Sequence, residues 1–254
     1  MPETPAPASA PSRWAWNLLV LASMILLVFL PARDVLAPES RAGDYRTLLG
    51  LLPSGIAYTL GITLAGSAAA IAVGAVVGLG MLSRRSWVRL LVSLYTETLR
   101  GIPLLVLLFY IYYALGEFLN IPALLAAVLG FGLCYGAYMA DVFRAGVQAV
   151  PREQGEAARS LGMTQRQALM KIIMPQALRT IVPAVGNQTL GMLKDTSLVS
   201  VLAITDILRV GNEYATKHFN YFETYTYVAL TYLLLTLLMS RGVRWLETRY
   251  AQKF

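Results

Sequence analysis

The chain has 254 residues, 57% of them hydrophobic and only 14% charged, with a mean hydropathy of +0.58. Soluble domains carry about 25% charged residues, so the composition excludes an ordinary soluble globule and points to the membrane. The net charge of +7 does not mark a nucleic-acid binder, because Lys and Arg cluster beside apolar runs and no stretch interleaves them with aromatics.

In chain order, residues 1–13 are rich in Pro, Ala and Ser and predict a disordered tail. A helix crossing the hydrocarbon core needs about 20 mostly apolar residues, and six segments qualify: 14–32, 55–82, 101–119, 122–142, 178–205 and 225–246. The first also has the outline of a signal peptide, with Arg13 before the apolar stretch Leu18–Leu30. Its possible cleavage point, "VLA", is followed by Pro38, which favours an uncleaved helix; either way the other five spans keep their topology. The second contains "GITLAGSAAAIAVGAVVGLG", where Gly74 and Gly78 lie four apart. Small residues at that spacing let helices approach closely, inside one bundle or across a dimer.

Glu97 and Arg100 stand at the start of the third span, where a structural or gating role fits better than direct binding. Cys134, the lone cysteine, lies in the fourth span and excludes an intramolecular disulfide framework. Asp141 and Arg144 end that span three residues apart, the spacing of an intrahelical or interface ion pair. The fifth span is interrupted by Pro183, Gly186 and Gly191, with a break predicted at Gly191, and carries Asn187, Lys194, Asp195, Thr196 and Ser197. Charge inside a span is costly and marks either a pathway or an internal ion pair. These five are the candidate substrate contacts, the alternative being that Lys194, Asp195, Glu97 and Arg100 pair with one another between helices. Adjacent residues do not face each other on a helix, so Lys194 and Asp195 call for separate partners. Between Tyr214 and Tyr225 five aromatics gather around the single histidine, His218, read as an interfacial belt or as a face for an external partner protein. One histidine, one cysteine and scattered carboxylates supply neither a metal site nor the acid/base constellation of a membrane enzyme.

Lys and Arg placement sets the orientation. With the tail inside, the inner segments hold fifteen basic residues, from Arg13 through Arg84 and Arg152 to Lys253, against six outside. Trp14, Trp16, Trp87 and Trp245 all fall near the inner boundaries. Six spans with both termini cytoplasmic follow.

That topology leaves "EQGEAARSLGMTQRQALMKIIMPQALR", residues 153–179, outside the bilayer within an inner loop of 144–179. Glu156 to Leu161 is good helix former and Gly162 stops it. Ala168, Leu169, Ile172 and Ile173 then form an apolar stripe that Pro175 should end. The residues read as two short helices around a glycine elbow. Ala157 and Ala158 form a small knob that suits either a groove on a partner protein or a position on lipid head groups.

The residues "EAARSLGMTQRQALMKIIMP" resemble the cytoplasmic loop signature of ATP-binding-cassette (ABC) importer permeases at Glu156, Ala157, Ala158, Gly162, Ile172 and Pro175, with Met174 in place of the usual Leu. "YTETLRGIPLL", "YGAYMADVFRAGVQAVP" and "LKDTSLVSVLAI" resemble the polar amino acid uptake permeases, of the histidine, glutamine and glutamate type, over roughly residues 50–250. Asp141 stands where that family has Glu, Ile102 where it has Thr, and Glu153 where it has Gly. The resemblance implies an all-α integral membrane protein with a five-helix permease core, here with one extra N-terminal helix, and a loop that docks in a groove of an ATPase subunit. It implies as partners an ABC ATPase dimer, a second permease copy or paralogue, and a periplasmic or extracellular substrate-binding protein, in a bacterial cytoplasmic membrane. The expected function is translocation of a polar amino acid by alternating access. Independently, no glycine is followed by lysine, so the chain lacks the phosphate-cradling G-x-x-x-x-G-K-[ST] loop. No cofactor or metal is expected in this chain; ATP and magnesium belong on the partner. The competing readings are another small zwitterion, ectoine-like or an opine, and a channel or proton-driven carrier, which leaves the loop unexplained. No internal repeat supports an inverted-repeat carrier.

Overall fold

The computed structural model describes residues 17–26, 29 and 42–251, so the tail over 1–13 and both ends of the first expected span lie outside the described residues. The described part of that span is a helix, α1, Asn17–Leu26. Among the described residues every regular element is helical. Helix α2 covers Ala42–Met81, and α3 covers Ser86–Gly101. Next come α4 (Leu104–Phe109), a π-turn (Tyr110–Ala114) and α5 (Gly116–Leu119). Helix α6 is Ala123–Gln148, and α7 is Arg152–Ser160. Helix α8 (Gln165–Ala168) runs through a π-turn (Leu169–Ile173) into α9 (Met174–Asp195) and a 3-10 turn (Thr196–Leu202). Helices α10 (Ile207–His218) and α11 (Tyr221–Ala251) complete the chain.

Four helical runs are long and apolar enough to cross a membrane: 47–81, 123–148, 165–202 and 221–250. The pair α3 and α4–α5, bent by 101° at its break, passes the same test when taken together, which makes up to five crossings. The sequence predicts a third span over 101–119; in the structure that run is helical from Leu104 to Leu119 and is preceded, across a break at its start, by α3. Pro103 has no N–H to continue α3, and the residue before a proline avoids the helical region. Ile102 is accordingly extended at φ −96° and ψ 126°, and α4 restarts after Pro103.

The bundle is organised around α6, which packs along α2 and also touches α3 and α9. Small residues make the approach possible. A Cβ on Gly78 would lie 2.6 Å from the Ala140 carbonyl oxygen and 2.8 Å from Phe143 Cβ, and one on Gly74 would collide with Met139 Cβ. Gly74 and Gly78 therefore serve packing within the chain, which decides between the two readings their spacing allowed. Phe131, Met139, Met192 and Leu202 fill the centre between these helices. Many large apolar side chains, such as Leu64, Val76, Leu90 and Leu94, face outward, as lipid-facing positions must.

The fifth span also departs from expectation. Helix α9 continues through Pro183, Gly186 and Gly191, and the backbone changes only at Thr196, where it tightens to 3-10. A Cβ at Gly191 would make only ordinary contact with the Tyr135 hydroxyl, at 3.4 Å. Nor does Pro175 end the second loop helix. The π-turn before it widens the backbone, so the ring clears the carbonyl four residues back and the helix runs on into α9. The Gln176 side chain donates 3.0 Å to the Ile172 carbonyl at this join.

Candidate functional site

The loop between α6 and α9 is built by local rules. Pro151 precedes α7 in extended conformation, and the helix ends in a Schellman motif. The Met163 N–H donates to the Ala158 carbonyl (3.1 Å) and the Gly162 N–H to the Arg159 carbonyl (2.9 Å). Gly162 supplies the φ of +82° that this motif requires. Thr164 then starts the next turn with a capping box: its hydroxyl accepts from the Gln167 N–H at 3.3 Å while the Thr164 N–H donates to Gln167 Oε1 at 2.8 Å.

The two alanines of the knob separate. Ala158 is buried against the chain itself, on the side where Gly155 approaches Ile173, and so offers nothing to a partner. Ala157 is exposed, and Leu161, four residues on and therefore on the same face, is 81% exposed. Glu156 and Pro175 are exposed and Ile172 is half-buried. The outward ledge is thus Ala157 with Leu161, rather than the alanine pair.

A second site lies at the helix break. Gly101, Ile102 and Pro103, together with residues of α6 and α9, enclose a cleft of 490 Å³. Arg100, Tyr135, Tyr138, Gln188 and Asp195 bring polar groups to it. The Tyr135 hydroxyl donates 2.8 Å to Asp195 Oδ2. On the other wall Arg100 Nη1 donates 2.5 Å to Asp141 Oδ2, and Arg144 donates 3.1 Å to Asp141 Oδ1. One carboxylate thereby holds two guanidiniums, so Arg100 is anchored while net positive charge remains. Its guanidinium also lies 5.4 Å from the centre of the Tyr138 ring. All three charged groups are partly solvated, with 32–47% of their side-chain surface exposed, so the triad contributes little stability.

Of the five substrate-contact candidates, the structure brings only Asp195 to this cleft. Asn187 is exposed on another face and donates 3.3 Å to Glu247 of α11. Thr196 is fully buried and its hydroxyl donates to the Leu193 carbonyl, while Ser197 donates to that of Lys194. Lys194 is exposed and, like Glu97, makes no ion pair among the described residues. Of the four charges read as possible interhelical ion pairs, Arg100 makes one, with Asp141 of α6, while Lys194, Asp195 and Glu97 make none among the described residues. Sequence reasoning missed Tyr135, Tyr138 and Gln188. The signal available was Tyr135 and Tyr138 three apart on one face of a helix otherwise built from small residues.

A third polar group escaped notice altogether. Asp206, fully buried, caps α10 by accepting from the Leu208 and Arg209 N–H groups at 3.2 and 3.0 Å, and accepts a further bond from the Tyr232 hydroxyl at 3.1 Å. Burial raises its carboxyl above the ordinary value of 3.8, against the opposing pull of these hydrogen bonds.

A bundle of broken and close-packed apolar helices around a small polar cleft defines a multi-pass membrane transport component. The family described as "Binding-protein-dependent transport system inner membrane component" matches residues 70–252, and the chain belongs to that family, the permeases of ABC importers. It is 40% identical over 206 residues to the probable amino-acid permease protein YxeN of Bacillus subtilis (strain 168), across 80% of this chain and 90% of YxeN. It is 34% identical over 203 residues to the glutamine transport system permease protein GlnP of Escherichia coli (strain K12), across 78% of this chain and 92% of GlnP. Among solved structures it is similar to an amino acid ABC transporter crystallised with histidines, at a TM-score of 0.76 and 38% identity over 81% of this chain and 96% of that one. The methionine ABC transporter MetNI, at 20% identity and a TM-score of 0.67, shares the fold.

Proposed function

We propose that this chain is the transmembrane permease subunit of an ATP-driven importer for a polar amino acid. The observation that carries the substrate class is the cleft at the helix break, where one guanidinium and one carboxylate face the same small space without pairing with each other. A zwitterion leaving water needs a cation for its carboxylate and an anion or acceptor for its ammonium. Arg100, pinned from behind by Asp141, suits the first role; Asp195, oriented by Tyr135, suits the second. The cleft lies within the size range of small-ligand pockets. Relatives named for glutamine and cystine support the same class. Other zwitterions such as opines share the charge pattern and are separated from amino acids by competition in uptake.

In this reading the chain supplies no covalent chemistry. The Ala157–Leu161 ledge docks on a separate ATPase dimer in the cytoplasm, which binds ATP and magnesium, and alternating access moves the substrate. A second permease copy or paralogue completes the pathway, and both termini lie on the cytoplasmic side of a bacterial inner membrane. At the opposite end, the exposed Phe219 and Phe222 beside α10 offer a face to a substrate-binding protein.

The test places a single cysteine at Ala157 in a Cys134→Ser background and crosslinks native membranes. Capture of a P-loop ATPase subunit is the expected result. A folded protein that yields only lipid or self adducts from this position overturns the coupling assignment.

A further inference from the structure

A second, roomier cavity lies apart from the polar cleft. It has a volume of 1220 Å³ and sits between the α2–α3 elbow, the end of α6, and the loop from α7 to the π-turn at Leu169–Ile173. Five arginines line it: Arg84, Arg85, Arg152, Arg159 and Arg166. Glu156 is the single acid in the lining, and none of the five arginines forms an ion pair among the described residues. The elbow is held in shape by Arg89, which donates to the Ser83 and Arg84 carbonyls at 2.8 and 3.0 Å. Arg84 and Arg85 are therefore presented from a fixed turn.

The wall between the arginines is apolar, with Leu82, Val88, Val150 and Leu169 among its side chains. Next to Val88, the α3 face carrying Trp87, Leu90 and Leu91 is exposed by 57–60%, the surface of a helix lying against lipid at its interfacial end. The cavity thus joins concentrated positive charge to apolar surface at the edge of the bilayer. Its α7 lining residues, Arg152, Gly155, Glu156 and Arg159, share one helical face, whereas Ala157 and Leu161 are not part of the lining. The ledge and the cavity therefore use different faces of α7.

We propose that this cavity binds the head group of an acidic phospholipid, with the phosphate among the arginines and the glycerol end of the chains against the apolar wall. Uncompensated like charges around one cavity repel, and an anionic head group relieves them. The inference requires only that the chain sits in a membrane, so its fate is separate from that of the ATPase and substrate assignments.

The test is native mass spectrometry of the transporter complex purified in mild detergent, titrated with phosphatidylglycerol or phosphatidylcholine. One tightly held phosphatidylglycerol per chain is expected, with affinity at least about fivefold above phosphatidylcholine, falling by about fivefold for each arginine removed. The variant Arg84→Gln/Arg85→Gln/Arg166→Gln should lose the preference, and the corresponding Lys variant should keep most of it, which guards against misfolding of the first. Equal retention of both lipids overturns the proposal, as does an unchanged preference in the Gln variant. Displacement of the lipid by equimolar inorganic phosphate assigns the cavity to a soluble anion and also overturns it. Absence of retained lipid together with loss of ATPase subunits from the Gln variant would mean that the arginines meet an acidic protein surface instead.

Discussion

Tyr135 of α6 donates a 2.8 Å hydrogen bond to the carboxylate of Asp195, tying the centre of one span to the last residue of α9 across the polar cleft. In the phenylalanine variant Asp195 keeps its charge but loses its orienting donor. Hydrogen bonds to charged groups are worth about 1.5–3 kcal/mol when shielded, and partial exposure reduces that here. Tyr135→Phe is expected to raise the substrate concentration for half-maximal uptake several-fold, while Asp195→Asn lowers uptake by an order of magnitude or more. Radiolabelled amino acid uptake into proteoliposomes reads both; wild-type values for the two variants would remove this cleft from the pathway.

Asp141 holds Arg100 and Arg144 together, and the expected outcome of Asp141→Asn divides between stability and transport. Half-exposed ion pairs contribute at most about 1 kcal/mol, so the unfolding midpoint in detergent should move little. Uptake should fall because Arg100 is no longer fixed behind the cleft. A large loss of stability with unchanged uptake per folded molecule would show the triad to be purely structural.

The α2–α6 seam makes a sharper stability prediction. In Gly78→Ala the new methyl meets the Ala140 carbonyl oxygen, a backbone atom that cannot swing away. Overpacking of that kind costs about 1–3 kcal/mol. Gly61, whose Cβ position has nothing within 4 Å, is the control, and Gly61→Ala should be neutral or stabilising by about 0.5–1 kcal/mol. Thermal unfolding of both variants in the same detergent decides it; equal behaviour would mean the helices are less tightly seated than described.

At Gly162 the demand is conformational, since a Cβ there would meet nothing. Gly162→Ala places an L side chain at φ +82° and costs about 1–2 kcal/mol, confined to the end of α7. Hydrogen exchange should quicken at the Gly162 and Met163 amides and stay unchanged in α6. A uniform change across the bundle would contradict this local account.

The pH dependence follows from Asp206. Its carboxyl is raised by burial, so the folded state holds its proton more tightly than the unfolded chain does. The resulting stability is fully present below the ordinary value of 3.8 and is lost as pH rises through the raised value. Asp206→Asn, which can still accept from the α10 amides, should flatten that acidic slope. Asp206→Ala should cost about 1–2 kcal/mol at all pH values by uncapping α10. Unfolding midpoints measured from pH 4 to 8 test both, and an unaltered slope in Asp206→Asn would assign the dependence to another group.

Much of this architecture is legible in the residues, because lipid demands long apolar runs and those are easily counted. The span over 225–246 falls inside α11, and that over 122–142 falls inside α6 apart from Pro122, which caps it. Proline and glycine were harder to weigh. Pro103 separates α3 from α4 because Ile102, the residue before it, is extended, whereas Pro175 and Pro183 are absorbed, the former through a π-turn that no residue pattern announces. Gly191 looks like a hinge, yet α9 runs through it as continuous helix. The polar cleft was half legible for a similar reason. Charge marked Arg100 and Asp195, but which face of α9 turns inward depends on the phase of a helix expected to break earlier, and so Asn187 was chosen where Gln188 lines the cleft.

The uninterrupted run from Gln165 to Asp195 joins the outer loop to the cleft as a single stiff rod, about 45 Å long at the helical rise. A rod transmits torque without slack: tilting it by about 5° about one end carries the other sideways by about 4 Å. The π-turn at Leu169–Ile173 is where its hydrogen-bond ladder is widened, and so where it yields first. In the proposed coupling, a push on the loop has one continuous helix through which to reach Asp195, and the five residues of the π-turn set how much of it is lost on the way.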